Sequence, residues 1–169
     1  MTTRFHCYNL IKCDTVGRHS HGVAFFVWYL MSEAPPMDRL PVLQNALFHD
    51  MAEFEVGDVP APTKRRLNIR HKLHDIENAV LEDVGVPMAI LSEAQEAVLS
   101  MADCLDGLAF CLRELEMGNL GMVKVASTYF DYLETALDGP ELEEEWFAAA
   151  LNKTRSIMTM FMDATGEDE

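Results

Sequence analysis

The sequence predicts an all-α protein: a single domain, residues 1–169, built as a bundle of about six helices. Three observations carry that expectation. Apolar residues recur at helical spacing, most plainly at Leu91, Ala94, Val98, Met101, Leu105, Leu108, Leu112 and Leu115. Strand signals are absent, because no β-branched alternation is bounded by hairpin turns. The breakers Pro35-Pro36, Gly57, Gly85 with Pro87, and Gly118 fall between the periodic stretches.

The first helix is expected from about Val16 to Glu33, stopped by Pro35-Pro36 because proline cannot continue a helix. A second runs from about Asp38 to Glu55, with Pro41 near its first turn and Gly57 just past its end. Pro60-Ala61-Pro62 makes a short rigid turn, and a polar third helix follows from about Thr63 to Asp83, closed by Gly85 and Pro87. The fourth and longest spans about Ile90 to Met117 and ends at Gly118-Asn119. Two amphipathic helices, near Met122 to Leu137 and Glu141 to Met162, complete the bundle, with Gly166 to Glu169 expected to fray. There is no internal repeat, low-complexity tract or linker.

A chain of 169 residues suits one sizeable core, and 49% hydrophobic with 24% charged residues reads as ordinary soluble globular protein. The longest apolar run, Val23 to Met31, falls well short of the roughly 20 residues that span a bilayer, so it reads as a buried core helix and no membrane is expected. Met1 to Cys13 lacks a signal-peptide apolar region, which predicts a cytoplasmic protein. Cys7, Cys13, Cys104 and Cys111 form no C-x-x-C pair and read as thiols, the last two on one packed face. A net charge of −15 argues against a nucleic-acid polymer as partner. Yet five of 13 basic residues (Lys64, Arg65, Arg66, Arg70, Lys72) sit together, as a local anion site or a solvated helix face would have them.

The chemistry concentrates in His49-Asp50-Met51-Ala52-Glu53-Phe54-Glu55-Val56-Gly57-Asp58-Val59-Pro60-Ala61-Pro62-Thr63-Lys64. It begins inside an apolar helix carrying Leu43, Ala46, Leu47 and Phe48. Imidazole and carboxylate at the end of such a run pay desolvation unless something neutralises them, and a metal ion both does so and needs these ligand types. Glu53, four residues after His49, is expected one turn later on the same face, and Asp58 reaches in from the loop beyond. Two further ligands are expected from elsewhere: His19 near the start of the first helix, and Asp103 midway along the fourth, with Asp106 a nearby competitor. His71 and His74 are spaced i, i+3, but their charged neighbours imply an exposed face; His21 is a weaker ligand candidate still. The methionines at 101, 117, 122, 158, 160 and 162 read as core or interface filler, and Glu141 to Glu145 as a helix N-terminus.

A His, then a His-Asp dyad, then a distant Asp on a later helix resembles the HD superfamily of metal phosphohydrolases. The H-D-x-x-E-x-x-x-x-D-x-P-x-P-x-K run is similar to the bacterial HD-type 5′-deoxynucleotidases, as is Arg4-Phe5-His6, fifteen residues before His19. The short connection from Lys64 to Asp103 resembles more closely still the dATP triphosphohydrolases of phages that replace adenine by 2-aminoadenine. The resemblance covers the first two-thirds of the chain; the last two helices carry no matching motif. Ala-Asp-x-Leu followed by Cys-Leu-x-Glu-Leu favours Asp103 over Asp106.

The resemblance implies a single HD-type helical domain in which His19, His49, Asp50 and Asp103 hold one divalent metal (Zn, Co or Mn), with Mg accompanying a triphosphate. It implies Glu53 as general base and Asp58 as a second acid or base. Lys64, with Arg4, Arg18, Arg65 or Arg66, would hold phosphates, Phe5 would stack on the base in place of the family's tryptophan, and His6 would line the base pocket. The implied reaction is hydrolysis of a purine deoxynucleotide, dATP to deoxyadenosine and triphosphate, with a deoxynucleoside 5′-monophosphatase as the alternative. A non-catalytic nucleotide sensor and a purely structural helical protein are the non-enzymatic readings. Homo-oligomers, dimers or hexamers, are also implied, and Phe25, Phe26, Trp28, Tyr29 and the Met-rich final helix supply apolar surface for them.

Overall fold

The computed structural model describes residues 2–5, 7–86, 88–139 and 142–165, with the backbone alone for Ala61, Pro62, Arg65, Arg70, Ala164 and Thr165. Its elements are β1 (Thr3–Arg4), β2 (Asp14–Thr15), α1 (Val16–Leu30), α2 (Pro36–Phe48), α3 (Glu53–Val56), α4 (Ala61–Leu67), α5 (Arg70–Asp83), α6 (Glu93–Glu116), α7 (Val123–Leu137) and α8 (Glu145–Thr165). A 3-10 turn at Leu120–Met122 leads into α7. The all-α expectation holds; two of the six expected helices are each divided. His6, Pro87, Glu141 and the expected fraying at Gly166 to Glu169 lie outside the described residues.

α6 is the axis, packed by α1, α2, α7 and α8. Its predicted stripe faces the core: Ala94, Val98, Met101, Leu105, Leu108 and Leu112 are buried. From α1 come Val23, Val27 and Leu30, and from α8 Ala150, Ile157 and Met158. The Val23 to Met31 run is buried on one face only, since Phe25, Trp28 and Tyr29 are exposed while Phe26 packs against the core. Both principal helices begin on side-chain caps. Thr15 accepts from the Arg18 N–H, and Ser92 with Gln95 forms a reciprocal capping box, each cap stabilising its helix by about 1 kcal/mol. The Ser92 cap explains why α6 starts at Glu93 and not near Ile90.

The two divisions have local causes. The His49 N–H still reaches back four residues to Asn45, but the Met51, Glu53, Phe54 and Glu55 N–H groups each reach back three. The chain therefore winds into a tighter 3-10 turn after Phe48. Asn68 adopts a left-handed conformation (φ 50°), which asparagine tolerates, and separates α4 from α5. The small β1–β2 pair was not expected, because two-residue strands show no periodicity; it sets Arg4 opposite Asp14. All four cysteines are free, Cys111 buried and Cys104 half-buried. Among the described residues no helix is long and apolar enough to cross a membrane.

Candidate metal centre

Three elements converge at one end of α6. α1 brings His19, fully buried; the tightened turn after α2 brings His49 and Asp50; and α6 brings Asp103. His19 Nε2 lies 2.9 Å from Asp103 Oδ1, 3.3 Å from His49 Nε2 and 3.6 Å from Asp50 Oδ2. His49 Nε2 is 3.5 Å from the same Asp50 oxygen. The donor atoms of His19, His49 and Asp103 all lie within 4.8 Å of one another. An ion with N and O ligands at about 2.0–2.2 Å sets neighbouring donors roughly 2.8–3.6 Å apart, from octahedral to tetrahedral angles, and the spacings of 2.9–3.6 Å fall in that range. Each imidazole also has its other nitrogen engaged, His49 Nδ1 on the Ala46 carbonyl at 2.9 Å and His19 Nδ1 on Asp106 Oδ2 at 2.7 Å. In both rings Nε2 is thereby the nitrogen left to face the centre.

In metal-free protein the same closeness shifts the titrations. Burial opposes charge on His19, but its hydrogen bonds to Asp103 and Asp106 outweigh that and raise it to about 9. Burial would raise Asp103, yet the His19 hydrogen bond and charge bring it down to about 2. A proton shared by this pair is what a divalent ion has to displace, so binding releases protons.

The centre opens into a cavity of about 660 Å³, within the range of small-molecule sites. Of the residues singled out from sequence, Arg4, Phe5, Asp50, Glu53, Asp58, Lys64, Arg66 and Asp103 line it. Glu53 is buried, with Oε2 lacking a hydrogen-bond partner among the described residues. Burial, then the Asp50 and Asp58 carboxylates, push its carboxyl up to about 8. It arrives from α3 and not, as expected, on the His49 helix face, because of the tightened turn. Lys64 is 4.0 Å from Glu77 on α5. Arg4 lies among Asp50 (3.8 Å), Asp14 (3.9 Å) and Asp103 (4.0 Å), its Nη1 without a hydrogen bond among the described residues. Phe5, at φ 54°, stacks one ring face on Phe110 at 5.1 Å.

Arg18 is elsewhere. Its guanidinium is bound to Asp14 and Asp106 and lines a separate, smaller cavity with Lys12 and Arg113. His6 and the Arg65 and Arg70 side chains fall outside the described residues; His71 and His74 are exposed, as expected.

Several residues were not foreseen. Asp14, fully buried, sits between Arg4 and Arg18. α7 lines the cavity with Lys124, Val125, Thr128, Tyr129 and Tyr132. Burial and the nearby Asp103 carboxylate hold the Tyr129 hydroxyl far above its usual value, so it stays protonated. The one sequence signal for this wall is Gly107 in mid-α6, where an added Cβ would lie 2.5 Å from the Tyr129 ring.

No curated protein matches this sequence. Among solved structures, the cyanophage S-2L HD phosphohydrolase DatZ, bound to dA and one catalytic Zn2+ ion, is similar at a TM-score of 0.72. Identity is 17%, over 94% of this chain and 91% of that one, so the two share a fold: this chain has the fold of an HD phosphohydrolase. The HD domain family matches residues 2–103, ending on the α6 aspartate that closes the centre, and the chain belongs to that family.

Proposed function

We propose that this chain is a metal-dependent phosphohydrolase acting on a deoxynucleotide, and that its substrate is dATP, split into deoxyadenosine and triphosphate. The observation that carries the reading is the convergence of two imidazole Nε2 atoms and two carboxylates at the edge of a cavity that Lys64 and Arg66 also line. The fold shared with a phosphohydrolase bound to dA and zinc supports both metal and substrate class.

His19, His49, Asp50 and Asp103 are the ligands, with Zn2+ the first choice and Co2+ or Mn2+ alternatives; Mg2+ accompanies the triphosphate. The ion supplies Lewis-acid activation of phosphate and water. Glu53, buried and held near pH 8, accepts or returns a proton at its Oε2, with Asp58 beside it as a second group. Lys64 and Arg66 offset phosphate charge, and Arg4 does so next to Asp50 and Asp103. Phe5, stacked on Phe110 and with the Arg4 guanidinium 5.4 Å from its ring centroid, stands at the cavity as the aromatic group for the base. Exposed Phe25, Trp28 and Tyr29 on α1 support assembly as a dimer or hexamer.

The test is turnover of dATP, dGTP, dAMP and ATP by metal-stripped protein given Zn2+, Co2+ or Mn2+, beside Asp50→Ala. Triphosphate released selectively from dATP is the expected result. Phosphate released from monophosphates alone establishes the alternative, a deoxynucleoside 5′-monophosphatase. Metal binding with no turnover of any nucleotide refutes both.

A further inference from the structure

His19 has two nitrogens but can give only one to an ion, and which one depends on where its proton is held. Asp106 Oδ2 lies 2.7 Å from Nδ1, while Nε2 faces Asp103, His49 and Asp50 on the opposite side of the ring. The imidazole thus stands between Asp106 and the centre, so Asp106 is a partner of the ligand and not itself a ligand. Its carboxylate is in turn fixed as a fork. Arg18 Nη1 donates to Oδ1 at 3.2 Å and Nη2 to Oδ2 at 2.8 Å, while the same guanidinium is pinned from behind by buried Asp14. Space for this comes from a glycine. A Cβ on Gly22 would lie 2.0 Å from Asp106 Oδ1 and 2.6 Å from its Cγ. Gly22 occupies the interior of α1, where glycine costs about 1 kcal/mol relative to alanine. What that position supplies is the room for a carboxylate to reach His19.

We propose that Asp106, held by Arg18 and admitted by Gly22, is a positioning residue that fixes His19 as an Nε2 donor to a divalent cation. The inference rests on the metal-centre reading above and extends it to a residue outside the 2–103 family match. It also assigns Arg18 to the support of the centre in place of a phosphate contact.

The experiment titrates metal-stripped wild type, Asp106→Asn and Arg18→Lys with Co2+, reading the visible d–d absorption, and with Zn2+ against a chromogenic chelator. Asparagine keeps the shape but not the charge, so Asp106→Asn is expected to weaken both ions about 10- to 100-fold and to alter the cobalt band. Arg18→Lys keeps the charge but loses the fork, and a smaller weakening is expected. Wild-type affinity and spectrum in Asp106→Asn overturn the proposal; should that variant not fold, wild-type affinity in Arg18→Lys does so. Wild type that binds neither ion brings down the metal-centre reading and this inference with it. Normal wild-type binding with unaltered variants brings down this inference alone.

Discussion

Replacing Gly107 by alanine tests whether the α7 wall of the cavity is seated on bare α6 backbone. In an open helix interior Gly→Ala stabilises by about 1 kcal/mol. Here the new Cβ would meet Tyr129 Cζ at 2.5 Å, its hydroxyl at 2.7 Å and Cε1 at 2.8 Å. Carbon pairs settle near 3.5–4.0 Å, so the ring has to retreat by about 1 Å. Overpacking of that kind costs about 1–3 kcal/mol, which leaves Gly107→Ala destabilising by up to about 2 kcal/mol after the propensity gain. At about 2–4 °C per kcal/mol for a chain of this size, Tm falls by up to about 8 °C. Removing the ring inverts the sign: in a Tyr129→Ala background, Gly107→Ala gains about 1 kcal/mol. The assay is urea and thermal unfolding of the four proteins of this cycle, whose coupling energy is expected at about 1–3 kcal/mol. Stabilisation by Gly107→Ala in both backgrounds, with no coupling, would refute the reasoning.

Glu114 is fully buried and accepts from the Ile11 and Lys12 N–H groups and the Asn119 amide. Burial alone would raise its carboxyl, but those hydrogen bonds hold it below its ordinary 4.5. Its contribution to stability is therefore complete above about pH 4.5 and is lost as pH falls through the lowered value, so the advantage of wild type over Glu114→Gln in thermal melts shrinks on acidification. Glu53 behaves oppositely. Raised to about 8, it favours the native state below its unfolded value and penalises it as pH rises, so metal-free Glu53→Gln gains stability over wild type from about pH 5 to pH 8. A constant difference across that window refutes the assignment. Lys64→Ala removes one charged contact worth about 1.5–3 kcal/mol, raising KM for a triphosphate about 10- to 100-fold with a smaller effect on a monophosphate. Equal effects on both would place Lys64 at the phosphate nearest the sugar.

The helical class and the His-Asp segment of the candidate centre were legible because both are written in short spacings. The α6 stripe repeats at helical period, and His49, Asp50, Glu53 and Asp58 lie within ten positions. The break after Phe48 was not legible, because it occurs with no glycine or proline to announce it; it is a change in hydrogen-bond reach. Asp14 was missed because a lone Asp ahead of a helix looks like a turn residue, and its meaning depends on Arg4, brought across by a strand pair too short to predict. Asp106 was weighed against Asp103 for one role, whereas the structure gives them opposite sides of one imidazole. They lie three positions apart on α6, nearly one turn, and which of the two faces His19 Nε2 is decided by α1. Tyr129 had no signal of its own. A glycine within a long helix was the trace of it, legible only once a neighbour is known to press there.

The pieces of the centre meet late along the chain. His19 and Asp106 are 87 positions apart. Closing such loops carries an entropy that grows as the logarithm of their length. Until α1 has docked on α6, an unfolded chain offers an ion little beyond the adjacent His49 and Asp50. An ion at this centre therefore finds its full donor set in finished protein alone, and adds stability by mass action on that state. In stopped-flow experiments Zn2+ should slow unfolding while the refolding rate stays at its metal-free value, so that the ion acts as a latch on the assembled helices and not as a seed for them.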